Sequence, residues 1–323
     1  MLQESQIIID PVKKLRNDFK NGLQQVDSLI LSSISANEPL VQTIAKTLIS
    51  AGGKRFRPLL CLASSQMIGN ITQNSIYLAA AVELIHVATL LHDDVVDESE
   101  LRRGQQTANM IWGNKPSILV GDFLFAKAFG LMVKTENIKY LDILATSASK
   151  ISEGEVRQLR CFDSLDLSVE SYLEITEYKT ATLFSAACQT GALTAGADSD
   201  TAHLLGQFGR FFGLMYQIID DIDDYIATNR GKSQGDDYRE GKVTLPILLA
   251  YQNDPDKSFW HQCFNSNQQP SFEQALERLH KFDAFQKSKV IAKTYAQKAQ
   301  SCIQSFNHEI AELMHMLVEN TAL

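Results

Sequence analysis

The sequence predicts an all-α protein built as one large helical bundle. Proline is scarce, 7 in 323 residues or about 2% against a usual ~5%, so long stretches run without a helix breaker. Apolar residues recur at three- and four-residue spacing along most of the chain. No segment shows the period-two alternation of a half-buried strand, and no internal repeat stands out. The length would allow two domains, but the even helical texture reads as a single domain over 1–323 with a large core.

Taken in order, residues 11–48 carry a helical stripe of Leu15, Phe19, Leu23, Val26 and Ile30. GGKRFRP (52–58) is a loop that opens a helix, with Pro58 in the first turn. A long helix spans about 75 to 100, with Gly104 as its stop. Gly121 opens a further apolar helix, GDFLFAKAFGLMV. Ser168 caps a helix with Glu170 in its first turn and Lys179-Thr180 further on. Residues 201–227 form another long helix, and the polar, glycine-rich NRGKSQGDDYREGK after it reads as a loop. Residues 252–270 read as a polar connector, and 271–320 return to amphipathic helix.

Composition narrows the function classes. A net charge of −8 argues against nucleic-acid binding, while leaving a local basic site open. Five scattered cysteines without CxxC spacing read as reduced thiols in a cytoplasmic protein. No apolar run approaches the ~18 residues of a membrane span, and the N-terminal stretch lacks the pattern of a secretory signal.

Two motifs of one spelling say most about chemistry. Asp93-Asp94-Val95-Val96-Asp97 and Asp220-Asp221-Ile222-Asp223-Asp224 both read DDxxD, and both lie in apolar sequence. Clustered carboxylates in such surroundings are costly unless cations neutralise them. On a helix Asp93 and Asp97 share a face with Asp94 beside them, and Asp220 and Asp224 repeat this arrangement. Hard oxygen donors without clustered His or Cys suit Mg²⁺, which completes its shell with water and phosphate. Basic residues accompany both motifs: Lys54, Arg55 and Arg57 upstream, Arg102-Arg103 after the first, Lys232 and Lys242 after the second. Carboxylates that hold metal, together with Arg and Lys, make a site for phosphate esters. The chain has neither a Walker A loop nor a GxGxxG after a strand, so a nucleotide-type phosphate cradle is not expected.

With these residues in view, the chain resembles the trans-polyprenyl diphosphate synthases of the isoprenoid synthase superfamily, the long-chain octaprenyl-type enzymes above all. The matching segments are GGKRFRP (52–58), ELIHVATLLHDDVVDESELRRG (83–104), GD (121–122), GEVRQ (154–158), KTATL (179–183), QIIDDIDDY (217–225) and GKSQGDDYREGKVTLP (231–246). They run in family order over most of residues 50 to 250. The resemblance implies a helical bundle around a central cavity, a homodimer, and Mg²⁺-dependent condensation of isopentenyl diphosphate onto an allylic diphosphate primer such as farnesyl diphosphate. It also implies a long product, octaprenyl diphosphate for quinone side chains, with peripheral membrane contact for product release.

The roles implied are these. Asp93, Asp97 and Asp220 ligate Mg²⁺ directly; Asp94, Asp221 and Asp224 act as secondary or water-mediated ligands. Lys54, Arg57 and Arg103 hold the diphosphate of isopentenyl diphosphate. Arg102, Lys179, Thr180, Gln217 and Lys232 hold the allylic diphosphate, and Lys242 is a weaker candidate. His86 precedes Asp93 by seven residues, within about 20° of the same face, and is taken as a diphosphate contact. Ala88 and Thr89, just before the first motif, are the expected chain-length positions. Thr89 falls within about 40° of Asp93 on the helical wheel, whereas Ala88 is about 140° away and rests on the resemblance. Phe123, Phe125, Phe129, Leu131 and Met132 could line a hydrocarbon tunnel or simply pack a helix. Glu155 and Gln158 read as supports. A terpene cyclase would not need the GGKRFRP site, a shorter-chain synthase would need bulk at 88 or 89, and a non-catalytic subunit of a heteromeric synthase would lack aspartates that are intact here.

Overall fold

The computed structural model describes residues 10–102, 104–161, 164–226, 234–264 and 270–322. Three N-terminal helices, α1 (Pro11–Asp18), α2 (Lys20–Ser33) and α3 (Pro39–Ser50), are followed by α4 (Phe56–Ile68) and the long α5 (Gln73–Val96). A tiny antiparallel pair comes next, β1 (Leu101–Arg102) with β2 (Gln105–Gln106). Then follow α6 (Ala108–Trp112), α7 (Asn114–Val133), α8 (Ile138–Arg160) and α9 (Val169–Thr176), which runs through a π-helical turn (Glu177–Ala181) into α10 (Thr182–Thr194). The chain closes with α11 (Ser199–Ile226), the short α12 (Asp236–Arg239), α13 (Leu245–Asn253), α14 (Lys257–Cys263), α15 (Phe272–Lys281), α16 (Ala284–Ile303) and α17 (Glu309–Ala322).

The two motif helices lie in the middle. α5 packs against α2, α4, α7 and α10, and α11 packs against α10 and α16. Their apolar faces join one contiguous core, from Leu15 and Ile30 through Leu84, Leu91, Phe184, Phe208, Phe212 and Ile218 to Leu317. Thr72 caps α5 by accepting the Ser75 N–H at 3.2 Å, so this helix starts where its side chain can satisfy an orphan donor. Gly121 sets how closely α7 approaches α5: a Cβ there would fall 2.2 Å from His92 Nε2. The His92 ring fills that space, stacks on Phe125, and its Nε2 lies 3.1 Å from the Ile118 carbonyl.

Several expectations about elements are corrected. α5 ends at Val96, and Gly104 is not its stop; its φ of +76° serves the connection between β1 and β2. Gly121 lies inside α7 rather than opening it. The supposed connector 252–270 contains α14, whose Trp260 is buried and donates to Asp254 Oδ2 at 2.9 Å. Two helices, α5 and α7, are long and apolar enough to cross a membrane by length and composition, contrary to the reading that no run approaches that length. α5 is mostly buried as a core helix; α7 leaves Ile118, Leu119, Phe129 and Val133 exposed.

Candidate active site

Both aspartate motifs open into one cavity of about 910 Å³, lined by the C-terminal ends of α5 and α11. Asp93 lines it from α5, Asp97 from the C-cap of that helix, and Asp220, Asp221 and Asp224 from α11. Lys54 and Arg57 reach it from the start of α4, His86 and Thr89 from α5, Arg102 from β1, Lys179 and Thr180 from the π-helical turn, and Gln217 from α11. Helical spacing explains this convergence: a four-residue step returns a side chain to the same face one turn on.

The two middle aspartates are structural anchors as much as site groups. Asp94 is buried, does not line the cavity, and accepts from Arg102 Nε at 2.7 Å, with Nη2 also at 2.7 Å. Burial pushes the Asp94 carboxyl up while the Arg102 charge pulls it down. Burial opposes the Arg102 charge, but Asp94 more than offsets this and the guanidinium is raised. Asp94, expected as a secondary metal group, is found seating Arg102 at the cavity wall. Asp221, also buried, accepts from the Tyr172 hydroxyl at 2.5 Å and from Gln217 Nε2 at 2.9 Å. Thr180 donates to the Gln217 carbonyl at 2.9 Å, so a chain of neutral donors runs from the π turn to the second motif. Tyr172 was not foreseen; it had no motif to mark it.

Lys179 is held by Glu155 at 2.7 Å and Gln158 at 2.6 Å, both from α8. Gly154 lets that helix come near, because a Cβ would meet Tyr178 Cβ at 2.8 Å and Lys179 Cγ at 3.0 Å. The GEVRQ segment thus builds a seat for Lys179. Lys242 bridges Asp97 and Glu240 at 2.7 Å each, which ties the segment after α12 to the first motif. Burial works against the Lys242 charge, but Asp237, Asp97 and Glu240 raise it well above the ordinary lysine range. Lys54 is exposed with its ammonium 5.3 Å from the Tyr216 ring centroid, and the Arg57 guanidinium lies 4.3 Å from that of Phe184. Arg57 Nε is buried with no hydrogen-bond partner among the described residues, a donor suited to a ligand oxygen. Arg103 and Lys232 lie outside the described residues.

The carboxylates strain against one another. Burial and the Glu155 charge raise Asp93 to about 7, with Lys179 pulling it back. Burial and Asp237 raise Asp221 to about 8, although hydrogen bonds from Tyr172 and Gln217 pull it down. Such a site gains by taking a cation. Among the described residues no three acidic, His or Cys groups form a ready-made metal cage. Facing hard-oxygen donors that need substrate phosphate to complete a shell fit a hard divalent ion of this kind. Ala88 is fully buried in the core and does not line the cavity, whereas Thr89 does; the wheel argument was the better guide. Of the suggested tunnel residues, Leu131 and Met132 are core, Phe129 is exposed, Phe125 stacks on His92, and none lines this cavity.

The sequence profile of the polyprenyl synthetase family matches residues 38–280. The chain belongs to the polyprenyl synthetase family. As a member it is a prenyltransferase. It is 40% identical over 255 residues to the octaprenyl diphosphate synthase of Haemophilus influenzae, covering 78% of this chain and 77% of that one. It is 44% identical over 231 residues to the geranyl-diphosphate-specific all-trans-nonaprenyl-diphosphate synthase of Rhodobacter capsulatus, 71% of each. The crystal structure of a polyprenyl synthase from Caulobacter crescentus CB15, complexed with calcium and isoprenyl diphosphate, aligns with a TM-score of 0.92 at 40% identity over 96% of this chain and 97% of that one.

Proposed function

We propose that this polyprenyl synthetase is a cytoplasmic long-chain trans-prenyl diphosphate synthase that adds isopentenyl diphosphate repeatedly to an allylic primer, farnesyl diphosphate, to give octaprenyl diphosphate for quinone side chains. The observation that carries the proposal is the single cavity faced by both aspartate motifs, whose wall also carries Lys54 and Arg57 at the start of α4 and Lys179, Thr180 and Gln217 from the π-helical turn and α11. That layout offers two separate anion subsites joined across carboxylates. Octaprenyl and nonaprenyl synthases among its relatives support a long product.

Asp93, Asp97 and Asp220, with Asp221 and Asp224 behind them, would hold Mg²⁺ between protein and diphosphate. Bound there, Mg²⁺ supplies Lewis-acid stabilisation of the departing diphosphate. Lys179, seated by Glu155 and Gln158, and Arg102, seated by Asp94, place fixed positive charge where the leaving group gains negative charge. Phe184, Leu90, Ile151 and Ile175 line the same cavity and exclude water from the allylic cation as its C–O bond breaks. Lys54, Arg57 and His86 orient isopentenyl diphosphate so that its double bond attacks that cation; the proton released passes to the freed diphosphate. The exposed apolar face of α6 and α7, with Met110, Ile111, Ile118, Leu119 and Val133, is the surface through which we place a homodimer.

The deciding experiment is a timed assay with labelled isopentenyl diphosphate, farnesyl or geranyl diphosphate and Mg²⁺, read by product length after dephosphorylation. A ladder ending at eight isoprene units is expected. A ladder that stops at four units points to a geranylgeranyl-type enzyme instead, and no product from the pure chain points to a subunit that needs a partner.

A further inference from the structure

The segment between Lys54 and Arg57 contains a residue that the phosphate-binding reading does not use. Arg55 has φ +48° and ψ +33°, the left-handed region that non-glycine residues seldom adopt. It caps α4 in position only, since its side chain makes no capping hydrogen bond. The side chain is instead 12% exposed and is held by three helices. Nη1 pairs with Glu83 of α5, Nη2 donates to the Ile49 carbonyl of α3 at 2.8 Å, and Nε lies 3.5 Å from Asp27 of α2. Arg16 of α1 adds a fourth tie by donating to the Gly53 carbonyl at 2.9 Å. Glu83 is a buried carboxylate in an otherwise apolar stretch of α5, where it is tolerated because this guanidinium meets it. Its charge also bears on Arg57, where it opposes the lowering that burial imposes on that guanidinium.

We infer that the Arg55–Glu83 pair is a positioning device that fixes the homoallylic diphosphate subsite to the same helix that carries the first aspartate motif. The left-handed turn at Arg55 sets Lys54 and Arg57 along the cavity wall, where Arg55 and Glu83 also lie, and brings the Arg55 guanidinium onto Glu83 of α5. Glu83 precedes Asp93 by ten residues, roughly 15 Å of helix rise, so α5 acts as the spacer between the two substrate sites. Repeated condensation needs the incoming double bond to meet the allylic carbon at a constant distance, and small displacements there are costly. The inference rests on the reading of Lys54 and Arg57 as the isopentenyl diphosphate subsite.

The test is steady-state kinetics on the full chain, with isopentenyl diphosphate and the allylic primer varied in turn. Arg55→Met and Glu83→Gln are each expected to raise KM for isopentenyl diphosphate by about tenfold or more, with KM for the primer within about twofold of the parent. Arg55→Lys should recover part of the loss. The double variant Arg55→Met/Glu83→Gln should be no worse than Arg55→Met alone, because the Arg55–Glu83 contact is already lost there. Arg55→Gly keeps the left-handed backbone accessible while removing the side chain, so it supplies a folded variant if the others aggregate, and it should show the same KM split. Equal increases in both KM values, or unchanged KM for isopentenyl diphosphate in folded Arg55→Gly, overturn the inference. Lys54→Ala separates the layers. If it raises KM for isopentenyl diphosphate while the Arg55 and Glu83 variants do not, the anchoring role alone fails; if it too is silent, the subsite assignment fails with it.

Discussion

The two aspartate motifs share a spelling and a helical setting, yet their buried second aspartates meet opposite kinds of partner. In the first, the buried Asp94 is met by a cation, Arg102, and Asp97 by another, Lys242. In the second, the buried Asp221 is met by neutral donors, Tyr172 and Gln217, while Asp237 adds to its negative surroundings. The first motif therefore carries much of its own neutralisation. At the second, neither of these partners of Asp221 is a cation, and hydrogen bonds hold it instead. Identical residues at identical spacing acquire different electrostatic roles from what the tertiary fold sets against their middle positions.

The largest expected effect is on turnover and tests whether both halves share one reaction. Asp93→Ala and Asp220→Ala should each lower kcat by about a thousandfold or more, on the order of 4 kcal/mol, while far-UV circular dichroism stays helical. Near-normal turnover in either variant would remove that motif from the metal assignment. The next effect is on stability and measures the difference in wiring. Arg102→Met leaves Asp94 buried and unpaired and should cost about 3–5 kcal/mol, whereas Tyr172→Phe removes one neutral donor and should cost about 1–3 kcal/mol. Urea unfolding of both variants decides it, and equal losses would dissolve the distinction.

Proton linkage gives a third effect, spread over several pH units. The folded-state pKa of Asp221 is raised from the ordinary 3.8 to about 8, so the folded protein holds this proton more tightly than the unfolded chain does. Stability should therefore fall as pH rises from about 4 toward 8, by up to about 1.4 kcal/mol per pH unit for each such group, and level off above that window. Asp93, raised to about 7, adds to the same slope. Chelator-treated protein unfolded in urea at pH 5, 6.5 and 8 should show the decline. Asp221→Asn should reduce it and Mg²⁺ should counter it at pH 8; a flat profile in chelator would contradict the raised values. The smallest effect sharpens the first motif itself. Thr89→Phe places a ring in the cavity and should shorten the product ladder in a folded enzyme. Ala88→Phe overpacks the core at a cost of about 1–3 kcal/mol and should leave the ladder of the folded fraction unaltered. Chromatography of the products, with thermal melts alongside, would show the assignment reversed if Ala88→Phe alone shortens the chain.

Much of this protein was legible without coordinates. Scarce proline and helical periodicity specified the all-α class, because those are local properties that each stretch of chain carries for itself. The motif helices were placed within a few residues, at Gln73–Val96 and Ser199–Ile226, and Thr89 was placed toward the cavity by wheel geometry alone. Composition and ordered motifs pointed to a divalent ion and diphosphates. What only the tertiary structure decided was which charge meets which. Asp94 read as a secondary ligand beside Asp93, and nothing local says that it turns to Arg102 instead of the cavity. Tyr172 reaches Asp221 across 49 residues of sequence, and Arg55 reaches Glu83 across 28. Gly154 has meaning only once Lys179 packs against it. Periodicity determines the direction of a side chain on its own helix; the partner it finds depends on how helices far apart in the chain are packed, and that depends on the whole core at once.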